Sequence, residues 1–258
     1  MSTRARAVLG VGSLAGLAAL LVWAVAGLPD FGHPRGPYAD LAPRIMLDER
    51  HVTNAVTGVT FDLRGFDTLG EELILFVAAL GATVLLRAQR TERSVQRAEE
   101  AEERRRAGGS DTADALRAFG AVLVGPVLLV GIYIVAHGAL TPGGGFQGGV
   151  ILAGALLLVY AAGQVAAVER VRPVSLVEVA DAAGAGAYTL VAVAGLVLGV
   201  AAMDNVLPTG TAGSLLSGGT VPVLSIAVGV EVTAAVTLIL SEFVDQTMLR
   251  GGGRGGEG

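Results

Sequence analysis

Between His137 and Val150 the chain reads HGALTPGGGFQGGV, a glycine-rich stretch set between two apolar runs that are each long enough to cross a bilayer. Gly143, Gly144 and Gly145 make positive φ cheap and let other backbones approach closely, while Pro142 biases Thr141 away from the helical region. The whole stretch is therefore expected to be non-helical. Irregular backbone near membrane depth persists only where protein or a water-filled cavity satisfies its free N–H and C=O groups. Something is accordingly expected to cover this loop.

The flanking runs belong to a chain that is 52% hydrophobic and 16% charged, with a mean hydropathy of +0.64. That balance places it among membrane proteins. It has no cysteine, so disulfides and thiolate metal sites are excluded. The net charge of −5 says less than the distribution of charge along the chain.

Apolar runs mark six candidate spans: about 7–28, 68–86, 117–136, 148–168, 182–203 and 221–243. A run of roughly 20 residues crosses the hydrocarbon core. The first could also be a signal sequence, but it exceeds the usual apolar length and lacks an obvious small-residue cleavage site before Pro29. The second is short unless it recruits Thr68 to Glu72, which puts Glu71 and Glu72 in its first turn. The fold class expected is all-α, a polytopic membrane protein of about six transmembrane helices.

Orientation follows from arginine. With the N-terminus inside, the cytoplasmic segments hold Arg4 and Arg6, the eight arginines between Arg87 and Arg117, Arg170 and Arg172, and Arg250 and Arg254. That is 14 of the 18 basic residues, none of which is Lys. The positive-inside rule therefore favours both termini inside. The Glu/Arg-rich segment over 91–115 is a sharp composition shift and reads as a charged cytoplasmic linker, and 251–258 as a Gly-rich tail. Gly195 with Gly199, and Gly149 with Ala153, are spaced for close helix approach.

Several polar groups stand out against this background. Thr68-Leu-Gly-Glu71 reads as a capping box, Asp62 and Arg64 can pair locally, and a carboxylate in a first helical turn is favoured by the macrodipole. Glu231 lies ten residues into the last span. A carboxylate near the bilayer centre costs about 2.5–3.5 kcal/mol on insertion scales, so it should face the bundle or a hydrated path, either as a functional acid or as a protonated group bonded to a neighbouring helix. His137 sits where the third span meets the glycine loop and suits either a proton relay or a helix-end anchor. Ser175-Leu-Val-Glu178 reads as a second capping box, with Glu178 and Asp181 solvated at the start of the fifth span.

Enzyme chemistry finds no foothold. There is no phosphate-binding G-x-x-x-x-G-K-[ST], no HExxH and no GxSxG. No cofactor, no metal site and no catalytic residue is expected. The arginine-rich segment alternates with Glu and lacks aromatics, which argues against nucleic-acid binding.

The run Thr141, Pro142, Gly143, Gly144, Gly145, Phe146, Gln147, Gly148, Gly149, preceded by His137-Gly138 and followed by an apolar helix, resembles the signature of the B subunit of the Mrp-type multisubunit Na⁺/H⁺ antiporters. In that pattern a second His often stands where this chain has Ala139, so any role of that imidazole is absent. The resemblance covers roughly 116–250, implying a four-helix membrane domain there. DLRGFDTLGE ahead of an apolar helix resembles the C-terminal end of the antiporter A subunit, and the corresponding subunit of membrane-bound hydrogenases, over roughly 1–90. The chain thus looks like a fusion of the two.

That resemblance implies an accessory, ion-path-lining subunit of a monovalent cation/proton antiporter in the bacterial inner membrane. Na⁺ and H⁺ would be the transported ions, and the partners the other antiporter subunits and the lipid bilayer. The alternatives are a membrane module of a proton-pumping redox complex or a purely structural assembly subunit. It also implies Glu71 as the leading ion-path residue, with Asp62, Arg64 and Asp67 ahead of it. Glu231 and His137 are added from their positions alone.

Overall fold

The computed structural model describes residues 3–28, 37–87, 114–161 and 174–252, and every regular element among them is helical. The charged linker expected over 91–115 and the Gly-rich tail therefore lie almost entirely outside the described residues. The chain forms two units, 1–43 and 44–258.

The first unit contains α1 (Thr3–Ala26), apolar on all sides, with Val8, Leu14, Leu20 and Trp23 exposed. A helix apolar all round is one that lipid or other protein surrounds. The short α2 (Tyr38–Arg44) closes this unit.

The second unit begins with a π-helical turn at Ile45–Glu49, the short α3 (Ala55–Gly58) and a second π-helical turn at Val59–Leu63. Four long helices carry the rest: α4 (Gly65–Arg87), α5 (Asp114–Ala136), α7 (Val174–Val197) and α8 (Val221–Gly252), with the shorter α6 (Gly145–Ala161) between α5 and α7. Four stretches are long and apolar enough to span a membrane: Gly65–Leu86, Ala118–Ala136, Leu176–Val197 and Val221–Phe243. Shorter apolar helical stretches, Gly10–Ala26 and Gly145–Val159, stand where the other two spans were expected.

The last span is the core. Its window is 61% buried against 11–33% for the other three, because α8 packs on α4, α5, α6 and α7. Small residues permit this. A Cβ added at Gly149 would stand 2.7 Å from Cβ of Val232 and 3.1 Å from the Gly229 carbonyl, and one at Gly148 would stand 2.8 Å from the Gly131 carbonyl on α5. Adjacent glycines thus serve opposite neighbours, which is how helices associate where burial in lipid supplies little driving force. Exposed Ile74, Val77, Leu85, Val122 and Leu129 cover the outer faces.

The structure corrects four sequence expectations. The glycine stretch is non-helical only through Gly144. Gly143 and Gly144 take φ of 129° and 146°, but Gly148 N–H already donates to the Gly144 carbonyl and α6 begins at Gly145. The later glycines are there for close packing rather than for irregular backbone. The Thr68 capping box does not form, because α4 starts three residues earlier and the Thr68 hydroxyl donates to the Thr60 carbonyl at 2.8 Å.

The fifth span begins earlier than expected, so α7 runs through Ser175, Glu178 and Asp181, and Asp181 is buried at 3% exposure rather than solvated at a helix end. Gly199 lies beyond α7 with φ of 80°. Val200 N–H donates to the Gly195 carbonyl and Gly199 N–H to that of Leu196, a Schellman closure rather than a helix-packing position.

Candidate functional site: a roofed glycine loop and a buried acid cluster

Two polar regions are built into the second unit, and their bonding differs completely. At the loop, the uncommitted backbone carbonyls are met by side chains from the segment just before α3. Asn54 Nδ2 lies 2.8 Å from the Gly138 carbonyl, 2.7 Å from that of Thr141 and 3.4 Å from that of Gly143. Thr57 Oγ1 donates to the Gly143 carbonyl at 2.9 Å, and Thr53 Oγ1 to that of Leu140 at 2.8 Å. Asn54 N–H donates to the Ala139 carbonyl at 3.1 Å. Asn54 is also the N-cap of α3, accepting from Thr57 N–H. From below, Ser225 on α8 donates to the Val135 carbonyl at 2.9 Å, and a Cβ at Gly138 would stand 2.6 Å from its Oγ. The cover expected for the loop is thus residues 53–57 above and α8 beneath.

His137 stacks on Tyr133 with ring centroids 4.1 Å apart, and its Nδ1 lies 3.0 Å from the Tyr133 carbonyl. It stands at the loop's edge, half-buried. Within the loop, Pro142 and Gln147 are exposed, Phe146 is half-buried against the core, and Gly144, Gly145, Gly148 and Gly149 are buried.

The second region lies where α4, α7 and α8 meet. Glu72 and Glu231 are fully buried, and Asp181 is 3% exposed. The carboxyl groups of Glu72 and Glu231 are within hydrogen-bonding reach of each other, and Asp181 is buried on the neighbouring α7. Neither oxygen of either Glu has a donor, nor does Asp181 Oδ1. Two carboxyls can be joined only through a proton, so the Glu72–Glu231 contact becomes a hydrogen bond when one of them carries it. The approach depends on Gly184: an added Cβ there would stand 2.5 Å from Cβ of Glu231 and 2.8 Å from the Ala227 carbonyl. Above the pair, the fully buried Tyr188 donates its hydroxyl to the Gly65 carbonyl at 3.0 Å and meets the ring of Phe61 at 6.2 Å. Glu242, eleven residues beyond Glu231, is fully buried on the same stripe of α8, about 16 Å further along at 1.5 Å per residue.

The sequence candidates are distributed unevenly over these regions. Glu231 is in the acid cluster. Glu71 points outward and is exposed, while its neighbour Glu72 turns inward. Arg64 and Asp67 form an exposed pair at 2.5 Å, so Arg64 is not the partner of Asp62. That partner is Arg50, whose Nε lies 2.9 Å from Oδ2 of Asp62. Burial nevertheless pushes the Asp62 carboxyl above its usual range, outweighing the attraction of Arg50. Asn205, within hydrogen-bonding reach, lowers it and the nearby Asp204 raises it.

Sequence reasoning missed Glu72, Asp181 and Asn54. In the structure Thr68, Glu72, Ala79 and Thr83 recur at helical spacing on the buried stripe of α4, whereas Asp67, Glu71, Ile74 and Ala78 form the exposed one, and composition does not tell the two stripes apart.

Comparisons agree with this architecture. A family model described as "Domain related to MnhB subunit of Na+/H+ antiporter" matches residues 115–238. An uncharacterised protein of Methanocaldococcus jannaschii is 32% identical over 215 residues, 75% of this chain and 78% of that protein. A chain in the structure of the membrane-bound sulfane sulfur reductase, an archaeal respiratory membrane complex, is 26% identical, with 92% of this chain and 97% of that chain covered at a TM-score of 0.67. A chain of the Mrp complex from a Dietzia species superposes at a TM-score of 0.70 and 20% identity, taking all of this chain onto 27% of that one. The last likeness is one of fold.

Proposed function

The chain belongs to the family of membrane proteins carrying a domain related to the MnhB subunit of the Na⁺/H⁺ antiporter, and from that premise we propose an accessory, ion-path-lining subunit of a multisubunit monovalent cation/proton antiporter in the cell membrane. The observation that carries this reading is the meeting of Glu72, Asp181 and Glu231, three buried acids from three helices, with no donor to either oxygen of the two Glu or to Oδ1 of Asp181. Buried acids at membrane depth are costly, and they are retained where an ion moves. Inward proton flow would drive Na⁺ outward, with separate, longer antiporter subunits carrying most of the proton path.

In this reading residues 1–90 are an A-subunit-like segment, 91–115 a charged linker and 116–250 a B-like domain. Superposition of the whole chain within a much longer Mrp chain supports the fusion. The arginine distribution supports both termini inside. Glu71, exposed on α4 behind Asp67, is assigned to the face shared with a partner subunit, and His137 to the loop end of the path.

The likeness to a chain of an archaeal respiratory complex favours a second reading, a membrane module of a redox-driven pump. Purifying the complex from native membranes separates the two by whether redox-active subunits accompany this chain. The ion-path reading itself is tested by Na⁺-dependent proton flux in vesicles containing the assembled complex. Glu72→Gln and Glu231→Gln should each abolish flux at normal assembly. Flux at the wild-type level in both variants would leave only a structural, assembly role.

A further inference from the structure

Building on the ion-path reading, we infer that Glu72 and Glu231 together hold one exchangeable proton, with Asp181 as the neighbouring acid that receives it. Glu72 and Glu231 are fully buried and none of their four carboxyl oxygens has a donor. The nearby Tyr188 hydroxyl is already committed to the Gly65 carbonyl at 3.0 Å. A proton needs two oxygens only, and the Glu72–Glu231 contact supplies them.

The surroundings fit a single shared proton. Among the described residues the charged groups acting on the pair are Glu71 from α4 and Asp181 from α7, both acidic, and the Tyr188 phenol is a further titratable neighbour. No described basic side chain compensates the pair, which leaves a proton as the simplest positive charge that can. With it in place the pair carries one negative charge instead of two, and all four carboxyl oxygens are withdrawn from water. The α7 backbone comes close to Glu231 at Gly184, three residues beyond the buried Asp181. Transfer to Asp181 breaks one O–H bond and forms another, moving one proton and no other atom.

The test is infrared difference spectroscopy of the assembled complex in lipid nanodiscs, in H₂O and D₂O, over a proton titration at fixed Na⁺ and a Na⁺ titration at fixed pH. The expected result is one protonated-carboxyl C=O band that shifts in D₂O. It should be lost in Glu72→Gln and equally in Glu231→Gln, change frequency in Asp181→Asn, and be unaffected in Glu71→Gln. Absence of an exchangeable band in the wild type, its survival in either single Gln variant, or its displacement by Na⁺ at constant pH overturns the inference. Flux measured on the same preparations separates this from the underlying reading. A band that behaves as expected in variants that still transport leaves the proton pair standing and removes the ion path.

Discussion

The glycine loop and the acid cluster share α8, and they treat polar groups in opposite ways. At the loop, the carbonyls of Gly138, Ala139, Leu140, Thr141 and Gly143 all lie within reach of a donor from residues 53–57. At the cluster, five carboxyl oxygens on Glu72, Asp181 and Glu231 have none. An unmade hydrogen bond in the interior costs the full desolvation of the group, so the first arrangement holds the fold together and the second weakens it. Stability and function are therefore assigned to different polar regions along α8, as expected where a protein carries destabilised groups for its activity.

Breaking the loop's cover should have the largest effect on stability. Asn54→Ala removes the side-chain donor from the Gly138 and Thr141 carbonyls, while that of Gly143 keeps Thr57, at about 1–3 kcal/mol for each stranded group. The expected loss is about 2–5 kcal/mol, seen as a lower unfolding temperature or reduced recovery of the complex, and an unchanged unfolding temperature would contradict it. Gly184→Val comes next. The added carbons collide with the Ala227 carbonyl and the Glu231 backbone, so α7 and α8 must separate, at about 1–3 kcal/mol for an overpacked contact. This variant should also lower flux, because it moves Asp181 away from Glu231.

Tyr188→Phe removes the hydroxyl bond to the Gly65 carbonyl while keeping the ring on Phe61. It should cost about 1 kcal/mol, measurable by thermal denaturation.

The smallest effect concerns Asp62, outside the spans. Its carboxyl is raised above the ordinary Asp value of 3.8, so the folded chain binds this proton more readily than the unfolded one. That contribution to stability is present below the ordinary Asp range and is lost as pH rises through the raised value. Asp62→Asn does not titrate. The unfolding-temperature difference, wild type minus variant, should therefore fall as pH rises from below 3.8 towards neutrality, and a rising difference would reverse the assignment.

The helical class and the glycine loop were legible in the sequence because apolar run length and glycine composition are local signals. Where α6 begins was not, since Gly145, Gly148 and Gly149 look alike in sequence but Gly145 and Gly149 meet Val228 and Val232 on α8 while Gly148 meets Val135 on α5. Glu231 could be singled out because it stands alone in an apolar run. Glu72 could not be separated from Glu71 by composition; a turn of about 100° per residue decides which faces inward, and that phase is fixed by packing on α7 and α8. Asp181 was hidden by a plausible capping box, and Asn54 by the distance of 84 residues between it and Gly138.

The most direct test of the contrast is the double variant Glu72→Leu/Glu231→Leu in the assembled complex, with unfolding temperature and ion-driven proton flux measured side by side. Replacing a buried ionisable pair by apolar residues of similar size is often neutral or stabilising by about 1–4 kcal/mol. The account requires an unfolding temperature at or above that of the wild type together with abolished flux. A clearly lower unfolding temperature, or flux that persists at normal assembly, would show that these acids serve the fold and not the movement of ions.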